Sequence, residues 1–373
     1  MSILVIGEKP SVSRELAKVL GAEKKKNGYM EGNGYMVSWC FGHLVGLKFP
    51  DAYSENWAAK WSFAQLPMIP ENWEFQVSQS TKQQFKILKE LMTSSDVTEI
   101  ICATDADREG ECIFRYVYDL VKCRKPVKRL WISSLEESAL KDGFHKLKDG
   151  SAYDDLYQAG FCRAKADWMV GMNGSRLFSV RYNAHLNTGR VQTPTLAMIV
   201  KRDADIATFV KQKYFTVVLD MGFPAESARI DEEHTADMLA SSCNGKTVTV
   251  TDVKKEVKSI SAPKLFDLTS LQREANKKFG YTAQQTLDYM QSLYEKKLVT
   301  YPRTDSQYLS DDMEQTAYAL IPAISERFGL GSVAEPNLKA VINNRKVTGH
   351  HAIIPTESGV KCDISALAVG EQN

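Results

Sequence analysis

Five short stretches carry residue types whose spacing suits chemistry on a phosphate. In TDADREGE, Thr104–Glu111, the carboxylates Asp105, Asp107 and Glu109 stand at i, i+2 and i+4, directly after the apolar run Val97–Ala103. An extended turn can aim such a set at one point. Oxygen-only donors suit Mg²⁺, which keeps several waters and takes few carboxylates. Four acids within seven residues repel one another unless a cation relieves them; the plainer reading is a solvated acidic turn. In LVTYPRTD, Leu298–Asp305, Tyr301 stands two residues before Arg303. A phenol, with a pKa of about 10, needs positive charge or a base to act as a nucleophile. A guanidinium can hold a non-bridging phosphate oxygen as charge develops on it. The plainer reading is a half-buried packing tyrosine, although Pro302, Thr304, Asp305 and Ser306 have no core character. Glu8-Lys9-Pro10-Ser11 follows the apolar run Ile3–Ile6 and by itself is a charged loop that caps a helix. His350-His351 is either surface or core filler, or an imidazolium beside a phosphate. Asn187-Thr188-Gly189-Arg190-Val191-Gln192-Thr193-Pro194 mixes Gly, Arg, Gln and hydroxyl residues ahead of a helix. That mixture suits phosphate contact, and it also suits a generic loop. Together the acidic run and the tyrosine suggest an enzyme that breaks a nucleic-acid backbone through a covalent phosphotyrosine.

These residues need a scaffold, and the periodicity supplies one. Ile3–Ile6 and Val97–Ala103 read as buried strands, and Tyr35–Phe41 as a third. Helices are expected over Ser11–Leu20, Thr81–Met92 and Glu111–Val121. Strand–helix alternation argues for a parallel α/β sheet, and both Glu8 and the Asp105 cluster fall just past the C-terminal ends of buried strands, where such sheets build their sites. From Tyr153 to Thr208 the pattern is helical, interrupted at Asn187–Arg190. From Tyr214 to about Ile260 it turns to β-type alternation, as in Thr247–Thr251. From Ser270 it is helical again, with Leu287, Met290 and Leu293 on one face, until Pro302 forces Tyr301 out of helical geometry.

The bulk properties exclude some classes. At 373 residues the chain is too long for one ordinary domain. It is 43% hydrophobic and 25% charged, with no apolar run near the roughly 20 residues of a membrane span. The N-terminus lacks a secretion signal. Seven scattered cysteines with no CxxC pair argue for reduced thiols in a cytoplasmic protein rather than structural zinc. The net charge of +1 says nothing about nucleic acid, but Gly174–Tyr214 carries seven basic residues against two acidic ones. That segment is either a phosphate-binding face or a solvated one.

In chain order, the motifs GEKPS (Gly7–Ser11), FGHL (Phe41–Leu44), TDADREGE, RAKADWMVGMN (Arg163–Asn173), GRVQTP (Gly189–Pro194), the block Leu268–Ser306 around Tyr301, and HHAIIPT (His350–Thr356) resemble those of type IA DNA topoisomerases, within them the topoisomerase III branch. They span nearly the whole chain. The resemblance implies a Rossmann-like Toprim domain at residues 1–152, a helical DNA-channel region at 153–213, a β-rich arch segment at 214–269, and a helical domain carrying the tyrosine at 270–373. It implies that Tyr301 attacks a single-stranded DNA phosphodiester and becomes linked to the 5′-phosphate, and that a 3′-hydroxyl later reseals the break. No ATP or small-molecule cofactor is needed. By position, Glu8 would shuttle a proton and Lys9 would stabilise the scissile phosphate. Glu8, Asp105, Asp107 and Glu109 would hold Mg²⁺, Arg303 would clamp the phosphate, and His350 would support the same transition state. Trp61, Arg176, Asn187, Thr188, Gly189, Arg190, Val191, Gln192 and Arg303 would contact the strand. Expected partners are single-stranded or negatively supercoiled DNA, with the protein at the nucleoid.

In the family, chain returning after the tyrosine domain completes a closed ring, and this sequence stops soon after HHAIIPT. A fragment, a truncated gene product or one part of a split enzyme with a trans-acting C-terminal half is therefore expected. Tyr301 would then be held loosely, with weak oligonucleotide cleavage and no plasmid relaxation by this chain alone. Two further readings compete: a catalytically impaired module that only binds single strands, and a Toprim nuclease or primase-like protein that does not use the tyrosine.

Overall fold

A computed structural model describes residues 1–133, 135, 137–331, 336–347 and 349–373. The chain forms two compact units, one of residues 1–188 together with 263–373, the other of residues 189–262.

The first unit is built on a seven-stranded sheet. Its strands are β1 (Ser2–Gly7), β2 (Lys24–Lys26), β3 (Tyr29–Gly32), β4 (Tyr35–Trp39), β7 (Val97–Ala103), β8 (Val127–Arg129) and β9 (Lys148–Asp149); β5 (Val45–Leu47) and β6 (Phe75–Val77) pair separately. The order is β2-β3-β4-β1-β7-β8-β9, with β4, β1, β7 and β8 parallel at the centre and antiparallel strands at both edges. Strand alternation sends Leu4 and Ile6 of β1 to one face and Val5 to the other. Helices cover both faces: α1 (Pro10–Leu20) packs with Val5, Val37 and Ile101, while α3 (Lys82–Thr93) and α4 (Arg108–Val121) pack with Leu4, Ile6 and Ile100. The short α2 (Glu55–Ala58) lies in the long excursion between β5 and β6. The parallel centre matches the expected α/β class, and β7 has the expected bounds.

After α5 (Glu137–His145), the long α6 (Asp154–Tyr182) packs along α4. Residues 263–373 contribute α9 (Leu268–Phe279), α10 (Ala283–Glu295) and α11 (Glu314–Phe328). The second unit holds α7 (Gln192–Ala207), the hairpin β10 (Val218–Asp220) with β11 (Pro224–Glu226), and α8 (Glu233–Cys243). The β-type alternation expected from Tyr214 to Ile260 is thus largely overturned: a helix stands in its middle, and Thr247–Thr251 forms no strand. A β-pattern becomes a strand only when a neighbour bonds its backbone, and among the described residues none does so there. No helix of the described residues is long and apolar enough to cross a membrane.

Candidate active site

Sheet register explains why residues almost a hundred positions apart meet. Gly7 of β1 stands opposite Ala103 of β7, so the next residues, Glu8 and Thr104-Asp105, leave the sheet side by side. The Asp105 amide donates to Glu8 Oε2 at 3.2 Å. Asp107 caps α4, its Oδ1 accepting from the Gly110 amide at 2.6 Å, which is the usual service of an aspartate at a helix start. Gly110 is required by the tightness of this turn, since a Cβ there would sit 2.2 Å from the Asp105 carbonyl oxygen.

Beneath the turn lies a group the sequence reading missed. Arg129, at the end of β8, is 1% exposed. Its guanidinium donates to Glu111 Oε2 at 2.9 Å and to the carbonyls of Thr104 and Asp105 at 2.8 and 2.6 Å. Glu111 also accepts from Arg115 at 2.9 Å. A buried, fully bonded ion pair therefore fixes the backbone that carries Asp105. Spacing along the chain gives no hint of it, because Glu111 and Arg129 belong to different elements.

The tyrosine arrives from the C-terminal part. After α10, Lys297 takes a left-handed conformation and the chain continues without helix into Thr300–Arg303. The HHAIIPT stretch runs alongside: the Thr300 amide donates to the Ile354 carbonyl at 3.0 Å, and Thr304 Oγ1 to the His350 carbonyl at 3.0 Å. This pairing sets the His350 ring against the Tyr301 ring, with centroids 4.2 Å apart. Tyr294 meets Tyr301 edge-on from α10. Tyr301 is 1% exposed and packs in the same core as α1. Its hydroxyl lies within donating distance of Asp105 Oδ2, at 3.1 Å, and Asp107 Oδ2, at 3.2 Å.

Several contacts hold the tyrosine segment there. The Tyr301 amide donates to the Ser133 carbonyl at 3.2 Å, Ser133 Oγ and His350 Nδ1 are 3.0 Å apart, Lys9 and Glu295 pair at 3.6 Å, and Lys297 bonds Glu15. The expectation of a tyrosine held too loosely to reach the acidic cluster does not hold in this structure.

Charge at the site follows from burial and like-charge crowding. Glu8 is pushed up to about 7, first by burial and then by Asp105 and Asp107, with Lys9 opposing. Asp105 is raised by burial and by Asp107, against Lys9, the Tyr301 hydroxyl and Arg303. The Tyr301 phenol is held well above its ordinary range by burial and by the carboxylates of Asp105, Asp107 and Glu8, with Arg303 opposing them. His350 is pushed down to about 4, chiefly by burial, and is neutral at pH 7. A carboxylate set this crowded fits a hard divalent cation. Among the described residues no three His, Cys, Asp or Glu come together as a ready-made metal cage.

The other expected site residues fall in different places. Glu109 lies 3.6 Å from His43. It lines a cavity of about 600 Å³ together with Asp107, Trp131, Arg303 and His350. Lys9 and Arg303 flank the carboxylates by charge. Trp61 is 42% exposed, packs on His185 at 6.4 Å, and has the Arg176 guanidinium 5.2 Å from its ring. Arg176 itself is 4% exposed and donates to Gln65 Oε1 and the Trp57 carbonyl, both at 3.0 Å. Its guanidinium ties the 57–65 loop to α6. Asn187 is exposed, and the Thr188 amide is bonded to Ser175. Gly189, Arg190, Val191 and Gln192 belong to the second unit, the last three exposed around the start of α7.

Sequence comparison assigns residues 151–367 to the family described as DNA topoisomerase. The chain belongs to that family. Residues 3–135 match the Toprim domain, so this topoisomerase has an N-terminal Toprim domain followed by the type IA core. Among its relatives, the DNA topoisomerase 3 of Bacillus cereus is 44% identical over 96% of this chain, and that of Bacillus subtilis (strain 168) 43% over 95%. The match covers 51% of each relative, so the chain spans about half the length of the curated relatives it matches. Full-length topoisomerase I from Thermotoga maritima superposes with a TM-score of 0.68 at 24% identity, covering 99% of this chain and 58% of that one, and shares the fold.

Proposed function

We propose that this topoisomerase chain cleaves and rejoins single-stranded DNA through a 5′-phosphotyrosine, changing DNA topology without ATP. The observation that carries the reading is the Tyr301 hydroxyl seated between Asp105 and Asp107. Against a module that only binds strands, the nucleophile is already docked on the acidic cluster. In cleavage, the Tyr301 oxygen bonds to phosphorus, the P–O3′ bond breaks, and the 3′-oxygen leaves as a hydroxyl. Asp105 and Asp107 are placed to accept the phenolic proton. Glu8, poised near pH 7, can give a proton to the 3′-oxygen and take it back on resealing. Arg303 and Lys9 offset charge on the phosphate, and the neutral His350 ring can donate a hydrogen bond to it. Asp105, Asp107 and Glu8 are the residues that would hold Mg²⁺, which when bound supplies positive charge beside the phosphate. Trp61, exposed and backed by a cation, is placed to stack a base. Exposed Asn187, Arg190, Val191 and Gln192, with Thr188 and Gly189, are assigned to backbone contact. Single-stranded or negatively supercoiled DNA is the partner, and a cytoplasmic, nucleoid-associated setting follows from that substrate.

The test is to trap an adduct in denaturant with an end-labelled single-stranded oligonucleotide and Mg²⁺. A 3′-end label should travel with the protein and a 5′-end label should not. Absence of any adduct, or the opposite label pattern, would defeat the reading.

Asp105→Asn and Asp107→Asn should slow rejoining about tenfold or more, with adduct formation less affected, because each removes a charged oxygen ligand. Asn still caps a helix, so the start of α4 should survive at position 107. Quench experiments that follow loss of adduct with and without Mg²⁺ decide it; Mg²⁺-independent rejoining by the parent would remove the basis for the claim. Binding of single strands should weaken with salt, with a log–log slope of about −0.7 per phosphate neutralised. A flat titration, or preference for blunt duplex, would count against the assigned DNA contacts.

A further inference from the structure

Ser133 stands in the loop after β8 and touches the tyrosine segment twice. Its carbonyl accepts from the Tyr301 amide at 3.2 Å, and its hydroxyl lies 3.0 Å from His350 Nδ1. His350 packs on the Tyr301 ring, is 5% exposed, and its Nε2 has no hydrogen-bond partner in the structure. It lines the same cavity as Asp107 and Arg303. A neutral imidazole has one donor and one acceptor nitrogen, and the partner of one nitrogen sets the character of the other. If Ser133 donates to Nδ1, the proton sits on Nε2 and the unpartnered nitrogen becomes a donor. If Nδ1 donates to Ser133, Nε2 presents a lone pair, which repels a phosphate oxygen.

We propose that Ser133 is a positioning residue that donates to His350 Nδ1, so that Nε2–H faces the scissile phosphate only when Tyr301 is docked on the Toprim domain. The proposal rests on the reading of Tyr301 as nucleophile. One serine then reports docking by its carbonyl and switches the imidazole by its hydroxyl. Lifting the tyrosine segment breaks both contacts together, so phosphate activation and nucleophile placement are lost as one event. Transition-state support is thereby denied to a phosphate that enters while the segment is undocked.

The test uses the 373-residue chain. Ser133→Ala should slow single-turnover adduct formation about tenfold or more and leave oligonucleotide affinity within about twofold of the parent. Ser133→Thr keeps the hydroxyl and should recover the parental rate to within about threefold. ¹⁵N-imidazole spectra, with His350→Gln for assignment, should place the proton on Nε2 in the parent and the Thr variant and show loss of that preference in the Ala variant. A parental cleavage rate in Ser133→Ala, a Thr variant as slow as Ala, or a proton on Nδ1 in the parent would each overturn the proposal. If the parent forms no adduct at all, the nucleophile reading fails, and the spectra still decide the role of Ser133.

Discussion

Tyr301→Phe should abolish the covalent adduct, by at least about a thousandfold, while single-strand binding should stay near the parental level. Tyr301→Phe removes one oxygen and keeps the ring, so packing on His350, Tyr294 and the α1 core persists. The lost hydroxyl is the group aimed at Asp105 and Asp107. Its removal takes away one influence that holds Asp105 down, and the carboxyl should rise further. Stability should change by about 1 kcal/mol, since one hydroxyl donor is lost while the ring stays packed. Denaturing gels on labelled oligonucleotide measure the adduct, and thermal melts check the fold. A denaturant-resistant link formed by the Phe variant would show that another side chain is the nucleophile.

Arg129→Ala is the largest structural perturbation expected. It leaves Glu111 in the interior with Arg115 as its remaining cation and takes the donor away from the Thr104 and Asp105 carbonyls. Breaking a buried pair costs about 3–5 kcal/mol when the survivor is left uncompensated; with Arg115 still on Glu111 the loss should lie at the lower end, which is still a large share of the roughly 5–15 kcal/mol that holds a domain together. The melting temperature should fall by several degrees, and adduct formation should fall with it because the turn bearing Asp105 loses its support. Arg129→Met combined with Glu111→Leu should melt closer to the parent than Arg129→Ala, since no charge is then stranded. A single variant that melts within about one degree of the parent would mean that Arg115 alone satisfies Glu111 and that the turn holds itself.

The strands and helices near the site were legible because their signals are local. Val97–Ala103 is apolar and bounded by polar residues, and it forms with those bounds. Tyr301 falls outside helix, as Pro302 requires. What could not be read is set by register and pairing. Nothing in the acidic run says that Gly7 will stand opposite Ala103, that Glu109 will turn to His43, or that Arg129 will come up beneath Asp105. Nor does the helical pattern around Arg176 say that the 57–65 loop will fold over its guanidinium. The β-pattern at Thr247–Thr251 is the converse case, a local signal without a neighbouring strand to complete it.

If Lys9 takes the scissile phosphate as proposed, its pairing with Glu295 bears on how the strand is released. Both side chains are partly exposed and 3.6 Å apart, so the pair itself is worth at most about 1 kcal/mol. A phosphate that takes Lys9 exchanges one anion for another, and a departing strand leaves no naked ammonium behind. Part of the attraction that would otherwise appear as affinity is thereby returned as speed of dissociation, since a lysine with a resting partner releases DNA more readily than one left facing empty solvent beside a carboxylate-lined site. On that reading Glu295 would be a built-in competitor that caps how tightly this corner grips an anion, a cap of use to any catalyst that must surrender an intact strand after every turn.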